Sequence, residues 1–518
     1  MKFSNQRPFS YPKAHENRLH PNDPAVRGPR IALFKLALKN FLLLQLLFLG
    51  LFAYIFGALF QATSHTHNLK VLYVDYDQGL VGTIIRNAYK GLQGDSFPTL
   101  IEKPGAEFPT PGDLREAVCK TRYWAALFVQ PGASSTLETA LTQPSNAYDK
   151  NDLVKYIWNE ARYPTVVDSS ISSNLQTLSA TARIGYASHD WTTTITNTSA
   201  ATYSTFADPW HLASINIQPT AQGSRLIYNT LVIILILIQE FFYLGTINGL
   251  YERFNIYSRL NPHRIIAFRF ALSAAYTLIG SLCVAGMVWA FKAGWHVNGN
   301  QFALTWAILW LFAHVNFLTM DVFSVWLPPQ FVPMALITWV IFNVASILLP
   351  FQLSAAFYRW AYVMPAHEVY QILIDIWSGG CNPTLSYALP ILFIMELSSF
   401  CLSALGTHRR AHYALIKQEA DKAIMQMRVD TAIKIEQENQ RGLQRTRTAT
   451  RSCGEIHDEK TEEQVDERTP EYEEQPHRLE LARTIEKADE EIKRQQTRTS
   501  RNMHFGPSFG VSFGGGDD

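Results

Sequence analysis

Residues 41–60 read FLLLQLLFLGLFAYIFGALF, twenty positions without a Lys, Arg, Asp or Glu. A helix needs roughly 20 mostly apolar residues to cross a bilayer, because each adds only about 1.5 Å and lipid offers the backbone no hydrogen-bond partner. Five more stretches fit the same rule: Leu226–Leu250, with LVIILILIQEFFYLG at its centre, Phe270–Phe291, Phe302–Trp326, Pro333–Pro350 and Leu385–Leu405. The averages conceal this. A chain of 518 residues with 47% apolar content and a net charge of +1 matches a large soluble enzyme, but here the charge is crowded into the last hundred or so residues. About forty residues precede the first run, which is long for the apolar core of a signal peptide, so it reads as a retained anchor.

Basic residues beside the spans set orientation. The N-terminal arm carries Lys2, Arg7, Lys13, Arg18, Arg27, Arg30, Lys35 and Lys39. Arg253, Arg259, Arg264 and Arg269 follow the second span, and His408, Arg409 and Arg410 follow the sixth. Six crossings put all three groups on one side, taken as the cytosol. The expectation is a multi-pass α-helical membrane protein with six spans, one plus five, and an extracytoplasmic α/β domain between spans one and two. Its parts are a basic cytosolic arm (1–39), the first span (40–61), the α/β domain (62–224), a five-span membrane domain (225–406) and a cytosolic tail (407–518). Both termini are cytosolic and the expected membrane is the plasma membrane.

Within 62–224, Leu69–Val74, Tyr123–Val129 and Val154–Trp158 read as strands. Gly79–Leu92, Leu114–Lys120, Ala133–Leu141 and Ser169–Ala187 read as helices. Asn197-Thr-Ser199 is the domain's single glycosylation sequon, and a chance triplet is the other reading of it. Asp75-Tyr-Asp77-Gln-Gly79 has the look of a phosphotransfer or calcium loop, but no Glu completes the calcium pattern, so turn chemistry is expected. Of the five cysteines, Cys283 and Cys401 fall in spans and are expected to pack as small apolar groups, and Cys453 is in the tail. Cys119 and Cys381 both fall on the outer side, where they either pair or stay as two free thiols.

Ionisable groups inside a bilayer are costly, about 2.5–3.5 kcal/mol each at the centre on insertion scales, and they turn inward toward partners. Glu240, His314 and Glu396 lie near the middle of spans two, four and six, with Asn316 and Asp321 also in span four. One reading is a proton- or substrate-handling site made of Glu240, His314 and Glu396. The other is interhelical hydrogen bonding that holds the bundle together. Gly245 and Gly249 form a GxxxG read as packing. The outer segment Phe357–Pro365 is aromatic, and Tyr370–Trp377 reads as an amphipathic half-helix ended by Gly379-Gly380, together an interfacial or re-entrant hairpin.

Two enzyme motifs are missing from the sequence: there is no G-x-x-x-x-G-K-[ST] loop and no H-E-x-x-H. A non-enzymatic protein without metal or cofactor is therefore expected. In the tail, Tyr413–Arg441 reads as a helix or short coiled coil, 443–475 as disordered, 478–496 as a second helical patch and the end as Gly-rich.

The one-plus-five layout resembles the fungal nitrosoguanidine-resistance protein family, itself distantly similar to phage-infection-type proteins and to the membrane parts of ABC-2-type exporters. The likeness rests on Val71-Leu-Tyr-Val-Asp75-Tyr-Asp77, on Glu240-Phe-Phe with the basic loop beyond it, and on Trp360-Ala-Tyr-Val-Met-Pro365. It covers about residues 30–406. It implies export of, or resistance to, toxic small molecules, or an influence on lipid distribution. The expected partners are membrane lipids, a small-molecule substrate, a cytosolic protein held by the tail and a second copy of the chain, but no nucleic acid. A non-transporting scaffold or regulator is the alternative.

Overall fold

The first apolar run belongs to a longer helix, α1 (Pro24–Leu59), whose opening turns also carry Arg27, Arg30, Lys35 and Lys39. In this computed structural model the described residues are 23–143, 148–189, 199–220, 231–292 and 295–453, together with His20, Trp191 and Ile195. Asn197 lies outside them, as do the second helical patch and the Gly-rich end. Phe34, Leu46 and Phe56 on α1 are exposed, which suits a helix surrounded by acyl chains rather than water.

Between α1 and the next long apolar helix lies an α/β domain. Its elements are β1 (Lys70–Asp75), α2 (Leu80–Leu92), β2 (Thr99–Glu102), α3 (Pro111–Cys119), β3 (Ala125–Val129), α4 (Ala133–Thr142), β4 (Val154–Trp158), α5 (Ser173–Ala187), α6 (Ala200–Ala207) and β5 (Leu212–Asn216). The sheet order is β2-β1-β3-β4-β5, parallel except where β3 meets β4, with Leu72 opposite Ala126 and Ala126 opposite Ile157. Alternate residues serve opposite faces. Leu72, Val74, Ala126, Phe128 and Ile157 pack on Leu114, Ala117 and Val118 of α3. Val71, Tyr73, Leu127 and Tyr156 face the other way, toward Val81, Ile84 and Ile85 of α2 and Leu175 and Leu178 of α5. Thr110 and Asp113 form a capping box with Pro111 at the first position of α3, so that helix starts where local chemistry dictates. The expected helix over Ser169–Ala187 is interrupted: Val167–Ser172 is a π-helical turn and α5 follows it.

The remaining helices are α7 (Val232–Arg253), α8 (Pro262–Ala290), α9 (Gly299–Trp326), α10 (Val332–Leu348), α11 (Pro365–Trp377) and α12 (Leu385–Cys453). Among the described residues, α1, α7, α8, α9 and α12 are long and apolar enough to cross a membrane. α10, expected as a full span, has 17 residues, about 25 Å of rise against a hydrocarbon core of about 30 Å. α9 is the central helix: Phe312 to Asp321 are buried on every face, and α7, α8, α11 and α12 pack around it.

Two expectations change here. The last span and the charged tail helix form one unbroken helix of 69 residues, α12, which also covers 443–453. Helical propensity continues past the membrane, and the helix runs on through Gly406 and Gly442. Cys283 and Cys401 are exposed on the outside of the bundle, not packed within it. A lipid-facing surface accepts a thiol as readily as a core does.

The domain and the bundle share a continuous core. At their junction Cys119 and Cys381 are joined in a disulfide. Tyr163 meets Tyr370 of α11 edge-on at 4.9 Å, and Gln371 Nε2 donates to the Tyr163 hydroxyl at 3.3 Å. α11 starts on Pro365 and is buried along most of its length, so it is an internal packing helix rather than a surface half-helix. It ends at Gly379 and Gly380, both left-handed, and the Gly380 N–H returns to the Asp375 carbonyl.

A candidate polar site within the helical bundle

Burying a polar group between apolar helices is tolerable only when it finds a partner. Of the three groups expected to form one site, two meet. His314 Nδ1 on α9 pairs with Glu396 Oε1 on α12, while the Nε2 end of the ring lies 3.1 Å from the Ser273 hydroxyl on α8. Phe270 closes the ring edge-on at 5.1 Å. Both imidazole nitrogens are thus engaged, one by a carboxylate and one by a hydroxyl. That arrangement can pass a proton between a carboxylate and a neutral donor. Glu396 keeps 19% of its side chain exposed, and its second oxygen has no hydrogen-bond partner.

Glu240 stands apart. It is fully buried on α7, and neither carboxylate oxygen has a hydrogen-bond partner, so nothing joins it to His314 or Glu396. Its neighbour Gln239 lies over Gly280 of α8, where a Cβ would sit 2.4 Å from Gln239 Nε2. Glycine at that position lets the two helices approach.

The strongest polar constellation is one that the residue reading did not assemble. Asp321 Oδ1 on α9 accepts from Arg269 Nη2 of α8 at 2.7 Å and forms an ion pair with Arg410 Nη1 of α12 at 3.0 Å. Ser403 donates to its other oxygen at 2.5 Å, Arg269 also donates to Asn248 at 2.7 Å, and Arg410 donates to Tyr257 at 3.1 Å and Ser324 at 2.6 Å. The three ionic side chains are at most 4% exposed. Such a knot holds only because each charge is paired and hydrogen-bonded at once. Arg269 and Arg410, which mark orientation in the sequence, are both buried against a carboxylate. The available signal was Asp321 itself, since an Asp inside a span calls for a cation at the same depth. A cavity of about 620 Å³ opens beside Arg410, lined also by Tyr257, Glu252, Lys417 and Lys422. The knot is therefore close to open space at that end of the bundle.

The opposite end of α9 is fastened to α11. Gln301 donates to the Ile376 carbonyl at 2.8 Å, and Trp377 Nε1 donates to Thr305 at 3.1 Å. Gln301 and Asp321 are separated by twenty residues, about 30 Å of helix, which is the depth of a hydrocarbon core.

The Asp75–Gly79 loop is spent on structure. Asp75 Oδ1 accepts from the N–H groups of Asp77 and Gln78 at 3.1 and 2.9 Å, and Oδ2 pairs with Arg86 at 2.7 Å. Asp77 binds the backbone N–H and the hydroxyl of Ser134 at the start of α4.

A family model described as "Protein of unknown function (DUF3533)" matches residues 40–401, from α1 to the apolar part of α12. An uncharacterized endoplasmic reticulum membrane protein of Saccharomyces cerevisiae is 22% identical over 388 residues, covering 67% of this chain and 75% of the relative. Neither match carries the nitrosoguanidine-resistance or ABC-2 likeness. With several long apolar helices and a membrane protein as relative, the chain is an integral, multi-pass membrane protein, and it belongs to the DUF3533 family of proteins of unknown function.

Proposed function

We propose that the protein is a non-enzymatic, permease-like membrane protein that moves small molecules or lipids, or governs their movement, with proton exchange at His314 and Glu396. The observation that carries this is the Ser273–His314–Glu396 chain, a titratable pair set among apolar helices. The reading counts six spans, with α10 as a short one, and puts the α/β domain on the extracytoplasmic side. The disulfide between Cys119 and Cys381 supports that side, because such bonds persist in oxidising compartments. The Saccharomyces relative is described as an endoplasmic reticulum protein, so that membrane stands beside the plasma membrane as the site of action. The domain faces the topologically equivalent side in both. Resistance to toxic compounds and influence on lipid distribution come from the family resemblance noted for the sequence. With no phosphate loop of its own, the protein draws on an ion gradient or a partner ATPase.

The test is proton flux into pyranine-loaded liposomes holding the purified protein, with and without an imposed pH gradient. Glu396→Gln and His314→Gln are expected to abolish protein-dependent proton flux while the protein stays folded and incorporated. Flux equal to wild type in the double variant would sink proton coupling at this pair.

A scaffold or regulator is the second reading, supported by the 69-residue α12, which carries a helix far beyond its apolar part. Truncation after Tyr413 discriminates the two. Intact proton flux in the truncated protein favours transport by the bundle alone. Unchanged cellular phenotype on truncation counts against an adaptor role.

A further inference from the structure

A second cavity, about 200 Å³, lies at the junction between the α/β domain and the bundle. Its lining includes Trp124 and Arg162 from the domain, Tyr362, His367 and Thr384 from the segment between α10 and α12, and Tyr387 from the first turn of α12. Arg162 is its distinctive member. The guanidinium stacks 3.7 Å from the centre of the Trp124 ring. Its Nη1 is buried without a hydrogen-bond partner, and among the described residues no carboxylate forms an ion pair with it or lines the cavity. Glu368, next to His367 on α11, is fully buried but is neither a lining residue nor within ion-pair distance of Arg162. Burial pulls the Arg162 guanidinium down to about 10, with only the tyrosines Tyr163, Tyr387 and Tyr362 acting against it.

The backbone is also shaped for this cavity. Of the five non-glycine residues with left-handed backbone among the described residues, Thr121 and Tyr163 line it. For an aromatic residue such a conformation is a true outlier, held only where the surroundings over-determine it. Here α11 clamps Tyr163 through Tyr370 and Gln371, and the turn leaving β4 is thereby set so that Arg162 reaches the junction. The disulfide joins the segments that supply Thr121 and Thr384.

Arg162 is half-buried, and its enclosed Nη1 faces the cavity lining with no counter-charge; an unpaired cation so placed is costly, and an oxyanion is the complement of a planar guanidinium. We propose that this cavity binds a phosphate group, with Arg162 as its anchor. The volume equals about seven water molecules, below the range of pockets for drug-sized ligands, and so it suits a headgroup rather than a whole large molecule. The position also fits an interface. Pro350, Phe351 and Gln352, just beyond the end of α10, line the cavity, and the nearby Phe357, Tyr362 and Val363 are exposed as in an aromatic belt. A phospholipid headgroup and a free phosphate share the required chemistry. The site does not depend on the proposed flux through the bundle.

The test uses the full chain. In maltoside micelles, inorganic phosphate is titrated while thermal unfolding is followed. In parallel, nanodiscs of phosphatidylcholine with and without phosphatidic acid are compared, and retained phospholipid is counted by native mass spectrometry. Stabilisation by inorganic phosphate assigns the site to a free anion. Retention or stabilisation seen only with phosphatidic acid assigns it to a lipid headgroup. Arg162→Met is expected to weaken the effect about tenfold or more, the loss of a charge-assisted contact, and Arg162→Lys to restore part of it. Where Arg162→Met yields no folded protein, Arg162→Gln replaces it. A wild-type protein that responds to neither source, or an Arg162→Met or Arg162→Gln protein that responds as wild type does, overturns the proposal.

Discussion

Replacing Asp321 by Ala leaves Arg269 and Arg410 facing one another with no anion between them. All three side chains are at most 4% exposed, so solvent does little to screen the two guanidinium groups. Removing one partner of a buried ionic group costs about 3–5 kcal/mol. For a unit the size of the bundle this lowers the melting temperature by about 6–10 °C, at about 2 °C per kcal/mol. Asp321→Asn keeps one acceptor oxygen for Arg269 while removing the charge, so its loss is smaller. Replacing all three residues together (Asp321→Leu, Arg269→Met, Arg410→Met) removes the unpaired charges and is expected to recover most of the stability, since apolar replacement of buried ion groups is often neutral or better. The assay is size exclusion of detergent-solubilised protein after graded heating. If Asp321→Ala melts with the wild type, or the triple variant melts as low as the single one, the ionic knot does not hold the four helices together.

Two further outcomes are expected. The Cys119–Cys381 bond closes a sequence separation of 262 residues, so Cys119→Ser with Cys381→Ser should lower stability by about 2–4 kcal/mol and expose the α/β domain to protease; a melting temperature indifferent to both variants and to reductant would count against a clamping role. Burial would raise the Asp208 carboxyl, but hydrogen bonds and charge from Lys150 and His211 outweigh it and hold the group below its ordinary value of 3.8. A depressed carboxylate stabilises the fold fully above its unfolded value and loses that contribution as pH falls through the folded one, so hydrogen exchange around α6 should rise below about pH 4 in the wild type and not in Asp208→Asn; identical pH profiles would refute it.

Much of the local architecture was legible because its causes are local. β1, β3 and β4 are short runs buried on both faces, and α2 and α4 follow turns marked by Gly79 and by Pro131-Gly132. β2, β5 and α6 went unread: the two strands sit at the sheet edges, half exposed, and their Thr-, Ser- and Ala-containing sequences carry little alternation. The expected span Pro333–Pro350 runs two residues past the end of α10, because apolar composition continues beyond the last hydrogen-bonded turn to Pro350.

Multi-pass membrane character is legible in the amino-acid sequence, since apolar length over a contiguous stretch is a one-dimensional property and the bilayer sets the length required. Also legible there is which polar residues lie within apolar stretches. Which of them are joined depends on how the helices pack. His314 meets Glu396 across 82 positions, Arg269 and Arg410 converge on Asp321 from two other helices, and Glu240 meets none of these. The same basic residue beside a span reads alike whether it is solvated or buried, because hydropathy records the cost of burial but not the partner that offsets it. Helix rotation and packing supply that partner, and the same packing brought Arg162 to a junction where its counter-charge is missing.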